Sequence, residues 1–177
     1  MPPYPSEVKD CTYGKCLAAM KDLKKGTVVE KFEGIVIKTD PNDPTPTPEE
    51  IPEDDIRYFI YVDHNSLIIP RSDARYANHS CDPNCTVNDR MEIVTIRSVK
   101  KGEELCFSYN DAESDHYAGY WDPRWDFKCC CGSPSCQGTV DSYAYRKGNR
   151  WIKTGKIWSE ASKPSRTSPA VPLNSGR

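Results

Sequence analysis

The sequence predicts a mostly β fold with a metal-binding segment towards its C-terminal end. Short runs rich in β-branched and aromatic residues recur along the chain, and turn-forming residues separate them. Five prolines between residues 39 and 55 exclude a continuous helix there. With 177 residues, of which 37% are hydrophobic, the chain can bury one core, so we expect one domain with appendages.

The predicted elements follow in order. Residues 8–37 are expected to form short strands around a turn at 24–27, including a β-branched run at 28–37. Further strands are predicted at 57–62, 67–69, 91–98 and 104–109. Residues 39–55 predict an extended acidic loop with one helical turn near Glu49. The pattern weakens beyond Gly138, and the Ser-, Pro- and Arg-rich stretch from Ser159 predicts a disordered tail.

Nine cysteines raise the choice between disulfides and metal ligands. Residues 1–5 open no apolar run of the kind that a secretory signal needs, which predicts a reducing, intracellular compartment. Clustered cysteines in such a compartment are more often metal ligands than bridges. No stretch is apolar enough over a sufficient length to span a bilayer, so no membrane partner is expected.

The cysteine spacing predicts one zinc site. Cys129, Cys131 and Cys136 form a C-x-C-x4-C pattern, which is one ligand short of a tetrahedral site. Cys81 lies forty-eight residues before Cys129, has no cysteine partner at ligand spacing and is the natural fourth donor. Cys130 lies between two ligands and should point away from the metal.

Charge is unevenly distributed, although the net charge is only −2 and the pI about 5.9. Residues 40–55 contain seven acids and no base, and residues 141–158 contain five bases against one acid. The basic residues of this second stretch are interleaved with aromatic ones, so a direct nucleic-acid surface is one interpretation. A C-terminal segment that packs against the rest of the domain with a solvated basic face is the favoured alternative.

Three motifs resemble those of SET-domain protein lysine methyltransferases. They are Asn-His-Ser-Cys-Asp-Pro-Asn at 78–84, Gly-Glu-Glu-Leu-Cys-Phe-Ser-Tyr at 102–109, and the C-x-C-x4-C cysteines of the post-SET segment. The resemblance covers roughly residues 10–140 in consistent order. It implies the SET fold, in which several small curved β-sheets surround a pseudoknot where the segments of Asn78 and Tyr109 cross.

The resemblance also implies a domain organisation and two ligands. S-adenosylmethionine would lie on one face, and the target lysine would enter a narrow channel from the other. The implied divisions are a SET domain at 1–110, a post-SET zinc-binding segment at 111–140, a basic aromatic extension at 141–158, and the tail at 159–177. The zinc ion would tie the C-terminal segment to the pseudoknot.

Several residues match family positions in the channel. Tyr109 matches the tyrosine whose hydroxyl orients the amine and the methyl group, and an ordinary half-buried strand tyrosine is the alternative. Tyr58 resembles the tyrosine that lines the channel near the cofactor, with core packing as its alternative. Phe107 stands where some members hold a tyrosine that limits methylation, so phenylalanine leaves room for further methyl groups and favours di- or trimethylation.

The cofactor contacts implied by the resemblance come from both ends of the domain. Asn78 and His79 match residues that hold the cofactor, and the imidazole is not expected to act as a base. Gly14, Lys15 and Cys16 match the family's Gly-x-Gly, with cysteine in place of the second glycine. If that position requires a positive φ or a close backbone approach, Cys16 weakens cofactor binding.

The resemblance implies a lysine N-methyltransferase that uses S-adenosylmethionine, binds Zn²⁺ and acts on a basic, histone-like or chromosomal protein. The alternative is a catalytically silent SET-like module that retains zinc and binds peptides. The expected location is intracellular: nuclear or chromatin-associated in a eukaryote, and cytoplasmic in a prokaryote.

Overall fold

Small, mostly antiparallel sheets make up the structure, which confirms the predicted fold class. The computed structural model describes residues 4–12, 14–38, 55, 58–63, 66–109, 127–140, 144–147 and 150–153. The predicted acidic loop, apart from Asp55, and the predicted tail lie outside these residues. In the described part of the chain, no helix combines the length and the apolar composition needed to cross a membrane.

The first sheet is a hairpin of β1 (Ser6–Cys11) and β2 (Gly14–Ala19). Its antiparallel register runs from Ser6 opposite Ala19 to Cys11 opposite Gly14. Gly14 has a φ of +110°, in the region that favours glycine, and a Cβ there would meet nothing within 4 Å. The backbone of the hairpin at Gly14 therefore carries no side chain and has open space beside it.

Two three-stranded sheets form the centre of the domain. One has the order β3 (Val28–Lys31), β9 (Glu92–Thr95) and β8 (Cys85–Val87); the other has the order β4 (Gly34–Lys38), β6 (Ser66–Pro70) and β5 (Ile60–Asp63). The β-branched run at 28–37 is thus divided between two sheets. The division falls just before Gly34, where a Cβ would lie 2.0 Å from the carbonyl oxygen of Ile69, so only glycine permits this approach.

A short parallel pair joins the two distant motifs. β7 (Asn78–His79) pairs with β10 (Cys106–Phe107), and the amide of Ser80 donates to the carbonyl oxygen of Phe107 at 3.1 Å. A 3-10 helix, Asp73–Tyr76, leads into β7. This pairing brings the segments of Asn78 and Tyr109 together, as the fold prediction requires.

The core has a main cluster and a smaller cluster under the cysteines. Leu17, Val29, Ile93 and Leu105 are completely or almost completely buried in the main cluster. The smaller cluster contains the buried residues Cys81, Cys129 and Val140, with Phe127 packed against them. Tyr109 packs against both clusters and so lies where the two meet.

The C-terminal part contains two further two-stranded sheets. β11 (Phe127–Lys128) pairs with β12 (Thr139–Val140), and β13 (Ala144–Lys147) pairs with β14 (Arg150–Lys153), both antiparallel. The weakening of the strand pattern beyond Gly138 was therefore a poor guide, since a hairpin forms within 144–153. Basic and aromatic residues interrupt the apolar alternation there, which hides a strand from pattern analysis.

Candidate active site and metal centre

Tyr109 follows β10 and is held at both ends. Its backbone amide donates to Nδ1 of His79 at 3.1 Å, and its hydroxyl donates to the carbonyl oxygen of Ala77 at 3.0 Å. The half-buried ring packs against Phe107, His79 and Phe127, with centroid distances of 4.9, 5.3 and 6.3 Å. These contacts fix both the position and the orientation of the phenol.

His79 connects Tyr109 to the cysteine cluster. Because Nδ1 accepts from an amide, the ring proton belongs on Nε2, which lies 3.2 Å from Sγ of Cys81. Burial lowers the pKa of His79 to about 4, so the ring is neutral at physiological pH. Both ring nitrogens therefore have partners within the protein.

Asn78 ties β7 to the N-terminal hairpin. Its Nδ2 donates to Oε1 of Glu104 at 2.7 Å and to the carbonyl oxygen of Lys15 at 3.2 Å. The Lys15 ammonium forms an exposed ion pair with Asp10 at 3.2 Å, which agrees with the surface-lysine alternative. The backbone of the hairpin, rather than the Lys15 head group, is therefore what the structure joins to Asn78.

Cys16 occupies β2 without backbone strain. It is 5% exposed, and Met91 is the one non-glycine residue in the described ranges with a positive φ. Cys16 therefore does not have the positive φ that would have favoured glycine at this position. Burial, with the nearby charge of Glu104, raises the pKa of the Cys16 thiol to about 12.

Tyr58 lies over the 3-10 helix. Its ring packs edge-on against Tyr76 at 6.4 Å, and the Arg75 guanidinium lies 4.1 Å from the Tyr58 centroid. Asp55 binds Arg71 at 2.7 Å and Arg75 at 3.2 Å. Arg75 therefore braces the segment that leads into Asn78, and Tyr58 is connected to Tyr109 through residues 75–77.

Phe107 is a core residue that also touches the candidate catalytic tyrosine. It is 5% exposed and contacts Phe32 edge-on at 5.9 Å, while its other neighbour is the ring of Tyr109. Phe107 is therefore part of the core and also contacts the ring of Tyr109, and its role beside a substrate channel stays a prediction.

The four predicted zinc ligands come together. The Sγ atoms of Cys81, Cys129, Cys131 and Cys136 all lie within 4.8 Å of one another. Zn–S bonds of about 2.3 Å give a tetrahedral edge of about 3.8 Å, and the sulfurs of Cys81 and Cys129 are 3.7 Å apart. The arrangement fits Zn²⁺. Cys130 is exposed and outside the cluster, as predicted.

The surroundings of the cluster also suit thiolates. The amide of Gln137 donates to Sγ of Cys81 and the amide of Gly138 donates to Sγ of Cys136, both at 3.4 Å. Burial opposes ionisation of Cys131, but backbone hydrogen bonds at Cys81 and Ser133 bring its pKa down to about 7. Amide donors to sulfur are the outer contacts expected of a metal-bound thiolate.

Two features of the site were missed from the sequence. Buried Asn84 donates to the carbonyl oxygen of Glu104 at 2.7 Å and accepts from the amide of Cys106 at 2.9 Å, which anchors β10. Its place in the 78–84 motif was an available signal. Cys11, Cys16 and Glu104 form a second group of candidate ligands, and their spacing in the sequence gives no hint of it.

The fold and site together define a β domain in which a half-buried tyrosine, an imidazole and a cluster of four cysteines are linked. A family model described as "SET domain" matches residues 14–110, which is more than half of the chain. The chain therefore belongs to the SET-domain family.

Curated proteins give the same result. The chain is 34% identical over 149 residues, 76% of its length, to "Histone-lysine N-methyltransferase, H3 lysine-36 specific" of Gibberella zeae. It is 32% identical over 137 residues, 70% of its length, to "Histone-lysine N-methyltransferase 2D" of Homo sapiens. These alignments span 15% and 2% of the two relatives, so the chain corresponds to a small part of each.

Proposed function

We propose that this chain is a protein-lysine N-methyltransferase that transfers a methyl group from S-adenosylmethionine to the ε-amine of a lysine. The observation that carries the proposal is the placement of Tyr109, whose amide and hydroxyl are fixed by His79 and Ala77 at the junction of the two core clusters. The membership of the chain in the SET-domain family supports it. The similar curated proteins are named as histone-lysine N-methyltransferases.

The cofactor-binding residues in this proposal are Gly14, Lys15 and Cys16 of the hairpin, Asn78 and His79 of β7, and Tyr58. The open space beside Gly14 lets a ligand approach the bare backbone, which fits an extended cofactor. Since both ring nitrogens of His79 are engaged within the protein, its contact with the cofactor falls to the backbone. S-adenosylmethionine supplies an activated methyl group when bound.

The protein must also orient the substrate amine, and Tyr109 is well placed to do so. Its hydroxyl proton is directed at Ala77, so the phenol oxygen keeps lone pairs that can accept a hydrogen bond from the substrate amine. Lysine has a reference pKa of about 10.4, and the aromatic rings of Phe107 and Phe127 favour its neutral, nucleophilic form. Tyr58 forms another part of the channel.

Zinc in the four-cysteine site would hold β11 and β12 against the motif that contains Cys81. Three ligands come from residues 129–136, and the fourth comes from the segment that also carries Asn78 and His79. Zinc binding would therefore contribute to the stability of the β11–β12 segment, which includes Phe127 and forms one wall of the proposed channel.

The decisive experiment compares wild type with Tyr109→Phe. We expect about 10²- to 10³-fold slower methyl transfer, with unchanged zinc content, because one hydroxyl is removed and the ring packing is kept. Histone-derived peptides and labelled cofactor provide the assay, with mass spectrometry to identify the modified lysine. Near-wild-type turnover in Tyr109→Phe would refute the role of Tyr109.

A silent peptide-binding module is the second candidate, and Cys16 favours it because a side chain replaces a cofactor-contacting glycine. Calorimetry with S-adenosylmethionine and the zinc-loaded protein separates the two. Measurable binding supports the enzyme, and a complete absence of binding supports the silent module.

The proposed substrate is a lysine-containing basic protein of the histone type. The proposed location is nuclear or chromatin-associated in a eukaryote and cytoplasmic in a prokaryote. The acidic stretch at 40–54 supplies charge of the complementary sign. Direct nucleic-acid binding by residues 141–158 is the less favoured proposal, and salt-dependent DNA binding that disappears on deletion of 141–177 would support it.

A further inference from the structure

A second group of soft ligands lies apart from the four-cysteine centre. Cys11 closes β1 opposite Gly14, and Cys16 lies in β2 opposite Lys9. Cys11 and Lys9 are two residues apart on one strand, so the two cysteines share a face of the hairpin. Glu104 itself forms an isolated antiparallel bridge with Ala18. Because Ala18 is two residues from Cys16 in β2, Glu104 reaches the same face.

The ligand atoms of this group converge. The two Sγ atoms and a carboxylate oxygen of Glu104 all lie within 4.8 Å of one another. Tetrahedral coordination with bonds of about 2.0–2.3 Å needs edges of about 3.3–3.8 Å, so small rotations of the side chains are sufficient. The amide of Asn78 donates to Oε1 of Glu104 at 2.7 Å and steadies that carboxylate.

From this geometry we propose that Cys11, Cys16 and Glu104 bind a second soft divalent cation, Zn²⁺ in the cell, with solvent as the fourth ligand. Two thiolates and one carboxylate form a ligand set that zinc accepts with one position open. Binding releases the two thiol protons to solvent, and the cation takes their place. With two sulfur ligands instead of four, the site is weaker than the four-cysteine centre.

The position of this site gives it a regulatory consequence that rests on the proposed function. Cys16 and Asn78 belong to the proposed cofactor contacts, and Cys11 lies 3.9 Å from the Asn78 amide. A cation held there pulls the two cysteine side chains and the Glu104 carboxylate towards one another. They then lie in front of the hairpin backbone at residues 14–16, which the cofactor approaches in the proposed function. Bound metal and bound cofactor then exclude one another, so zinc acts as an inhibitor at this second site.

The test titrates the reduced 177-residue chain with Cd²⁺, whose thiolate bonds give an ultraviolet charge-transfer band. We expect two steps: a tight first equivalent with four thiolates, and a weaker second equivalent with about half its absorbance, because two thiolates contribute. Zn²⁺ content after gel filtration gives an independent count. A titration that ends at one equivalent overturns the proposal.

Variants assign each step to its site. Cys16→Ser and Cys11→Ser should lose the second equivalent and keep the first, and Cys131→Ser should lose the first. Glu104→Gln keeps an oxygen for Asn78 and should weaken the second step by at least about tenfold. Cys130→Ser is the matched control, since Cys130 is an exposed cysteine outside both groups and both steps should survive. Persistence of the second step in Cys16→Ser, with the first step intact as proof of folding, contradicts the assignment.

Cofactor competition is measured separately by calorimetry with S-adenosylmethionine at one and at two equivalents of Zn²⁺. Weaker cofactor binding at the second equivalent in wild type, and not in Cys11→Ser, supports mutual exclusion. Equal affinity at both metal levels overturns the exclusion and leaves the proposed enzyme function standing. Failure of S-adenosylmethionine to bind at either level contradicts the proposed function, and the two-step metal titration then stands by itself.

Discussion

The backbone amide of Tyr109 donates to Nδ1 of His79, and the opposite nitrogen of the same ring lies 3.2 Å from the sulfur of Cys81. One imidazole therefore connects the candidate catalytic tyrosine to a candidate zinc ligand. Because the ring is neutral and its tautomer is fixed by the Tyr109 amide, Nε2 is oriented to donate to the sulfur. Occupancy of the metal centre and the position of Tyr109 should consequently depend on each other.

His79→Ala tests this connection. We expect zinc affinity to fall about 10- to 100-fold, because the donor to a ligating sulfur is lost. Methyl transfer should fall even at saturating zinc, because the Tyr109 amide loses its acceptor. Chelator competition measures the first effect, and turnover with excess zinc measures the second. Unchanged zinc affinity would show that the contact with Cys81 has no energetic role.

Cys131→Ser should abolish zinc binding at the four-cysteine centre. We expect residues 127–140 to lose hydrogen-exchange protection, and cofactor affinity to fall with it, because three of the four ligands lie in this segment. Metal analysis and hydrogen exchange provide the measurements. Cys130→Ser, one residue away and exposed, should retain zinc and protection. Full zinc content in Cys131→Ser would disprove the ligand set.

Phe107→Tyr should shift the products towards monomethyl-lysine. The new hydroxyl would lie beside Tyr109 in a nearly closed space and would hold water in the channel where a second methyl group must fit. Because a hydroxyl buried with incomplete hydrogen bonding costs about 1–3 kcal/mol, a lower free energy of unfolding is also expected. Mass spectrometry of the products and chemical denaturation check the two effects. An unaltered ratio of mono-, di- and trimethyl products removes Phe107 from this role.

Asp55→Asn should destabilise the protein and change its acid sensitivity. The hydrogen bond from Arg71 holds the pKa of Asp55 below its usual value, so the stabilisation is present above the unfolded-state pKa and disappears as pH falls through the folded-state pKa. We expect a loss of about 1 kcal/mol at neutral pH, limited because Arg71 is partly exposed. Denaturation curves between neutral and acidic pH should converge for the two proteins. A constant difference across that range would contradict the ion-pair explanation.

The sequence was sufficient to predict the fold class and the cluster of four cysteines, because both depend on signals that local patterns carry. The C-x-C-x4-C spacing, together with Cys81 in the 78–84 motif, identified four cysteines whose sulfurs the structure brings within 4.8 Å of one another. Two motifs that are distant in the sequence meet through the pairing of β7 with β10, as the family resemblance implied.

Contacts between segments that are distant in the chain could not be predicted from local sequence patterns. Tertiary packing decides which groups contact the two ring nitrogens of His79. No spacing in the sequence reveals that Nδ1 accepts from the backbone amide of Tyr109, thirty residues away. The grouping of Cys11, Cys16 and Glu104 depends on the register of the hairpin and on the β-bridge between Ala18 and Glu104. The division of residues 28–37 depends on the contact of Gly34 with Ile69, which is equally non-local.

The last prediction concerns the acidic stretch, whose residues 40–54 lie outside the described part of the chain. The family resemblance implies that this segment forms one wall of the peptide groove. Asp55, the seventh acid, is excluded from any substrate-binding surface because it is 6% exposed and bound to Arg71 and Arg75. Five further acids across the channel are expected to add negative charge: Asp111, Glu113, Asp115, Asp122 and Asp126.

Neutralising Glu49, Glu50, Glu53 and Asp54 to amides should lower kcat/KM on a basic peptide, chiefly through a slower encounter. Exposed charges are screened over roughly 8–10 Å at physiological salt, so wild type should lose its advantage as ionic strength rises. The matched control converts Glu7, Asp22, Glu33 and Asp89 to amides, which changes the net charge equally at exposed or partly exposed positions elsewhere. If the control shows the same salt dependence as the 49–54 variant, net charge alone explains the effect. Parallel salt curves for wild type and the 49–54 variant would mean that the acidic stretch takes no part in substrate recognition.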